Sequence, residues 1–143
     1  MKVSDVLQAK GAQVFSVSPY QTMQDVVRVL MAHRIGALLV VDEGRTVGIV
    51  TERDVLRECL DGAERLAEIP VRDAMTRDLV VGEPCMYLDD ALGLMTRHRV
   101  RHLPIIEDGQ VAGLISIGDA VKATLDETAS ENGFLREYIH GRN

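Results

Sequence analysis

A chain of 143 residues, 46% hydrophobic and 27% charged, can build one compact domain or two small units sharing a core. It is too short for an enzyme with separate substrate and cofactor domains. Its 16 basic and 22 acidic residues leave a net charge of −6, and only 3% of side chains are aromatic; an acidic surface poor in stacking platforms argues against nucleic-acid binding.

In chain order, Val14–Ser18 is a short apolar run suited to a strand. Thr22 with Asp25 forms a helix-capping pattern, and Val26, Val27, Leu30 and Met31 come next on one helical face, with the methionine expected to fill core. The β-branched runs Ala37–Val41 and Thr46–Val50 flank Asp42-Glu43-Gly44-Arg45, which predicts a hairpin. Thr51 opens a second helix reaching about Leu60, and Asp61–Pro70 links this first half of the chain to the second. In the second half the spacing predicts helices near Tyr87–Arg97 and Ile117–Leu125, and a hairpin of Leu103–Ile106 with Val111–Ile115. The longest apolar run, Ile35–Val41, is far below the roughly 20 residues of a membrane span, and the opening MKVSDVLQAK turns polar too early for a secretory leader. Cys59 and Cys85 stand apart with no zinc or disulfide spacing. The expectation is a cytoplasmic protein with no membrane and no nucleic-acid partner.

These elements come twice. At an offset of 65 residues Pro19 falls on Pro84, Asp25 on Asp90, His33-Arg34 on His98-Arg99, Gly44 on Gly109, Gly48 on Gly113 and Asp54 on Asp119. Upstream the offset is 68, matching Val3–Leu7 to Val71–Met75, with the three-residue difference in Gln8–Gln13. The reading is an α/β (α+β) fold of two β-α-β-β-α repeats, at residues 1–60 and 71–127, with a linker at 61–70 and a tail at 128–143. Repeats of about 60 residues are marginal alone, and the apolar strands ask for cover on both faces. Packing the copies with pseudo-twofold symmetry would meet both needs and leave two clefts between them.

The segments that could carry chemistry are Gly48–Asp54 and Gly113–Asp119. Each puts a hydroxyl residue, Thr51 or Ser116, at a strand end and an Asp three positions on, in the first turn of a helix. That is a helix-capping pattern in its own right. It also suits ligand binding, because an ionised Asp is acceptor-only with two oxygens and matches the adjacent hydroxyls of a ribose, while a helix N-terminus can receive phosphate. The two roles are compatible. No nucleophile–base pair, metal-ligand set, Walker loop or dinucleotide fingerprint appears. His98 and His102 lack a third ligand, so neither a catalytic nor a metal site is expected.

The doubled unit, the Gly-h-h-Ser/Thr-x-x-Asp endings (h, apolar), and the segments HRIGALLVVDEGRTVGIVTERD and HRVRHLPIIEDGQVAGLISIGD resemble a tandem pair of CBS domains. VSDVL, GIVTERD, RHLPII and YIHG look most like the stand-alone pairs of bacteria and plant organelles. The resemblance implies a regulatory module, not an enzyme, that binds adenosine-containing ligands between the repeats. Asp54 and Asp119 would hold ribose, with Thr51 and Ser116 near ribose or phosphate. Val14, Val17, Ile35, Ala37, Val80 and Val100 would wall the adenine. Arg101 and His102 would contact phosphate in the Asp54 cleft, and Arg53 would reach toward the Asp119 cleft. For the three cations, solvated helix-end charges or surface ion pairs are the plainer alternative. The cation count favours a mononucleotide phosphate near Asp54, and Gly118 would leave room for a pyrophosphate. AMP or NAD(H) is the expected ligand, with ATP, ADP and S-adenosylmethionine in the family's range. The resemblance also implies a homodimer and an unidentified regulated protein; the rival reading is an interaction scaffold whose clefts stay empty. The tail segment Phe134–Ile139 would pack on the body or on a partner.

Overall fold

The computed structural model describes the backbone of residues 1–11 and 13–140 and the side chains of residues 1–11 and 13–129. The packing expected of Phe134–Ile139 lies outside the described side chains. The chain divides into two compact units, Gln13–Leu79 and Met1–Ala12 with Val80–Asn143. We call them the Asp54 unit and the Asp119 unit.

In the Asp54 unit, β1 (Ser16–Val17) runs parallel to β2 (Ala37–Asp42), which pairs antiparallel with β3 (Arg45–Thr51). β1 is shorter than the apolar run Val14–Ser18 suggests, because only Ser16 and Val17 find partners on β2, at Leu39 and Val40. The β2–β3 turn has positive φ at both Glu43 and Gly44 (49° and 77°), the handedness that matches strand twist in a two-residue hairpin loop. Helix α2 (Met23–His33) starts at Thr22, whose hydroxyl accepts the Asp25 N–H while the Asp25 carboxylate accepts the Thr22 N–H. It buries Met23, Val26 and Leu30. Met31, expected in the core, is instead 75% exposed: one step of about 100° beyond Leu30 turns it outward. After β3 come α3 (Glu52–Glu58) and short 3-10 helices at Cys59–Asp61 and Ala63–Glu68. The joining segment is thus folded, with Leu66 buried and Pro70 bridged to Thr22.

The Asp119 unit repeats this plan. Strands β4 (His102–Glu107) and β5 (Gln110–Ser116) form the hairpin, turning at Asp108 and Gly109, again both with positive φ. The counterpart of β1 shrinks to a single parallel bridge of Gly82 with Ile105. Helix α5 (Leu88–His98) buries Leu88, Ala91 and Met95. Helix α6 starts at Ile117 and continues to His140, through the segment read from sequence as a tail.

The opening helices change places. Helix α1 (Val3–Lys10) begins repeat 1 but packs in the Asp119 unit, where Val3, Val6 and Leu7 join Leu88, Met95, Leu103 and Ile115. Helix α4 (Val71–Ala74) begins repeat 2 but packs in the Asp54 unit, with Val71 and Ala74 against Met23, Leu30, Leu38 and Val50. Two strand glycines permit this. A Cβ on Gly48 would meet Met75 Sδ and the Thr76 carbonyl oxygen, both at 2.8 Å. A Cβ on Gly113 would meet Leu7 Cδ2 at 2.5 Å. The backbone can approach this closely only where there is no side chain.

Candidate functional site

In each unit the hydroxyl residue and its Asp sit at one end of the small sheet, while Val17 pairs with Val40 nearer the middle. In the Asp54 unit, Thr51 closes β3 directly opposite Ala37 at the start of β2. The Gly36 carbonyl accepts the Glu52 N–H (3.0 Å), and the Phe15 carbonyl accepts the Leu39 N–H (3.3 Å). Val14, Ile35 and Ala37 therefore belong to the segments flanking the Thr51–Asp54 turn, Val14 and Ile35 half-buried and Ala37 buried. Val17 is buried in the core cluster. In the Asp119 unit, Ser116 pairs with His102 and the Arg101 carbonyl accepts the Ile117 N–H (2.9 Å). Arg101 and His102 thus flank the Ser116–Asp119 turn, Arg101 exposed and His102 half-buried. Val80 and Val100 pack at the margin of this unit's core.

Both turns adopt the capping arrangement expected of Ser/Thr-x-x-Asp. Thr51 N–H donates to Asp54 Oδ2 (2.9 Å), the Thr51 hydroxyl lies 3.2 Å from the same oxygen, and Asp54 N–H points back to Thr51 Oγ1 (3.4 Å). Ser116 N–H donates to Asp119 Oδ2 (2.9 Å) and Asp119 N–H to Ser116 Oγ (3.0 Å). In both, the carboxylate sits in the first turn of a helix, where the aligned peptide dipoles favour negative charge.

The cations that neutralise the two carboxylates differ, and neither was among the residues singled out from sequence. Asp54 is buried to 2% residual exposure, and its Oδ1 lies 2.9 Å from Arg57 Nη2. Arg57 is one helical turn away, so this i,i+3 pair could have been read from the pattern. Arg53, expected from sequence as a phosphate ligand of the other site, is exposed and forms no ion pair among the described residues. Asp119 is paired with Lys10, 109 positions earlier in the chain: Lys10 Nζ lies 2.6 Å from Asp119 Oδ2 and 2.6 Å from the Leu114 carbonyl oxygen. Partial burial pushes the Asp119 carboxyl up. The Lys10 hydrogen bond, the Ser116 N–H and the Lys10 charge outweigh that and hold it below its ordinary value.

A depression of about 430 Å³ in the Asp119 unit is lined by Arg101, Ile117, Gly118, Val121 and Lys122, among others. It puts Gly118 and Arg101, both noted from sequence, on one surface. Among the described residues no three metal-ligating side chains cluster, and no helix is long and apolar enough to cross a membrane.

Two α/β repeats with exchanged opening helices, each ending in a strand-capped carboxylate, define a tandem-repeat architecture. The chain belongs to the CBS domain family, whose profile matches residues 3–61 and 71–126. It is 37% identical to the CBS domain-containing protein YhcV of Bacillus subtilis, over 89% of this chain and 91% of that protein. It is 35% identical to the mitochondrial CBS domain-containing protein CBSX3 of Arabidopsis thaliana, over 97% and 72%. Among solved structures, a CBS-domain protein from Agrobacterium tumefaciens superposes with a TM-score of 0.83 at 38% identity, covering 87% of this chain and 99% of that one. CBSX2 in complex with AMP superposes with a TM-score of 0.72 at 26% identity, covering 89% and 98%.

Proposed function

We propose that the chain is an adenine-nucleotide-sensing regulatory module with no catalytic activity of its own. In this reading Asp54 and Asp119 accept hydrogen bonds from the vicinal hydroxyls of a ribose. Thr51 and Ser116 lie near ribose or phosphate, Arg53, Arg101 and His102 supply positive charge, and Val14, Val17, Ile35, Ala37, Val80 and Val100 contribute apolar walls for adenine. The observation that carries the reading is the duplicated capped carboxylate, at the end of each small sheet and bordered by apolar segments. AMP is the leading ligand, supported by the AMP complex of the similar CBSX2. NAD(H) comes second, then ATP, ADP and S-adenosylmethionine. The proposed setting is the cytoplasm, and the output passes to a regulated protein.

A thermal-denaturation series with AMP, ADP, ATP, NAD(H), S-adenosylmethionine and adenosine tests the proposal. A ligand at about a hundred times its dissociation constant stabilises by about 2.7 kcal/mol, enough for a melting shift of several degrees. Asp54→Asn and Asp119→Asn then assign the sites. Loss of the shift in either variant supports the ribose role; an undiminished shift in both refutes it.

A second reading, an interaction scaffold, draws on exposed apolar pairs at corresponding positions. Leu56 and Leu60 on the Asp54 unit are 70% and 84% exposed, and Val121 and Leu125 on the Asp119 unit 47% and 60%. Under both readings the proposed partner for these side chains is a second copy of the chain, giving a homodimer. Sedimentation of a Leu56→Glu, Val121→Glu double variant at half the wild-type mass would support it; a monomeric wild type would refute it.

A further inference from the structure

The strongest asymmetry in the molecule is the lysine that reaches Asp119. Its origin lies in the Gln8–Gln13 difference between the repeats. Helix α4 stops at Ala74, and the chain then lays Thr76 along β3, where its N–H and carbonyl exchange hydrogen bonds with Ile49 (both 2.9 Å). Helix α1 instead continues to Lys10. The residue matching Ile49 is Leu114, and its carbonyl receives the Lys10 ammonium rather than a backbone N–H. The same ammonium bonds to Asp119 Oδ2. A backbone bridge in one unit is thus replaced by a charged side chain in the other.

This matters for ligand chemistry. Asp119 Oδ2 already accepts the Ser116 N–H and the Lys10 ammonium, which uses both of its lone-pair directions. A ribose can engage both carboxylate oxygens only if Lys10 withdraws. A withdrawn ammonium leaves two acceptors and must find another. A neutral nucleoside offers no anion in exchange, whereas a ligand carrying phosphate does. The competing groups at Asp54 are all local: the Thr51 N–H and hydroxyl meet Oδ2, and Arg57, one helical turn on, pairs with Oδ1. None of them comes from a distant segment, so a ligand at Asp54 displaces no long-range contact.

We propose that Lys10 is the specificity-determining residue of the Asp119 site, making it select anionic adenosine ligands over neutral ones by occupying the carboxylate until a phosphate accepts the ammonium. The proposal rests on the ribose role of Asp119 put forward above.

The test uses the full chain, with AMP and adenosine as probes and calorimetry as the readout. The Asp119 site is identified as the binding step lost in Asp119→Asn. Lys10→Met is expected to tighten adenosine and weaken AMP at that step, so that the preference for AMP falls by about tenfold, a change of about 1.4 kcal/mol. Lys10→Arg, which keeps the charge, is expected to retain most of the preference. A purely structural role for Lys10 would move the melting temperature without moving the ratio of the two affinities. If Asp119-dependent binding is present and Lys10→Met leaves that ratio unchanged, the selectivity proposal is overturned while the ribose role stands. If neither probe shows an Asp119-dependent step in wild type or in Lys10→Met, the ribose role of Asp119 fails, and the selectivity proposal with it.

Discussion

The Asp54 and Asp119 units carry the same turn, the same hairpin and the same glycine under a foreign helix, yet they secure their carboxylates by opposite means. The Asp54 unit does so locally: Thr51, Asp54 and Arg57 share one strand end and the helix it opens, and the carboxylate is almost fully buried. The Asp119 unit does so across the chain, with Lys10 spanning from α1 to α6 and a carboxylate side chain that keeps 26% of its exposure. A local pair forms whenever its helix forms. A long-range pair reports on whether two distant segments are docked. Two copies of one motif therefore differ in how far along the chain their carboxylates are held.

The largest contrast should come from the glycines beneath the exchanged helices. Gly48→Ala drives a Cβ against a backbone carbonyl at Thr76, which cannot rotate away, and is expected to cost about 1–3 kcal/mol. Gly113→Ala meets only the end of the Leu7 side chain and should cost less. Equal losses in urea denaturation would contradict the reading that the Asp54 unit is clamped by backbone and the Asp119 unit by side chain. Next, Asp54→Ala removes a complete capping box and is expected to lose about 1–2 kcal/mol, measured the same way.

Lys10→Met should be milder at neutral pH, about 0.5–1 kcal/mol, since the pair is partly exposed. Its signature is the pH dependence. A carboxyl whose folded pKa is depressed contributes stability above its ordinary range and loses it as pH falls through the folded value. The gap between wild type and Lys10→Met should therefore be full at neutral pH and narrow only as pH falls below the ordinary carboxylate range of about 4. A gap that stays constant would mean the lysine stabilises through its aliphatic stem alone.

Much of the architecture was legible because it is written in short-range patterns. The Thr22–Asp25 and Thr51–Asp54 boxes and the Gly-containing hairpin loops depend on residues within a few positions of one another, although the strands run one residue further into each loop than the apolar runs suggest. What escaped depends on distance. The change in offset from 68 to 65 was visible, but not that it lengthens α1 enough to carry Lys10 to Asp119. Nor could periodicity assign α1 to the unit of the other repeat, since an apolar face records only that it is covered, not by what. Met31 failed for a related reason: a stripe of four apolar residues is wider than the face α2 buries.

The placement of α1 also orders events during biosynthesis. The Asp54 unit is one continuous stretch, complete once Leu79 has left the ribosome, whereas α1 is made before that unit and its docking partner β5 ends only at Ser116. At ordinary elongation rates the newborn helix waits about 5–20 s for the strand it covers. A helix translated before the Asp54 unit thus docks only after that unit is complete, and Lys10 closes a loop that must wait for β5 and the turn after it.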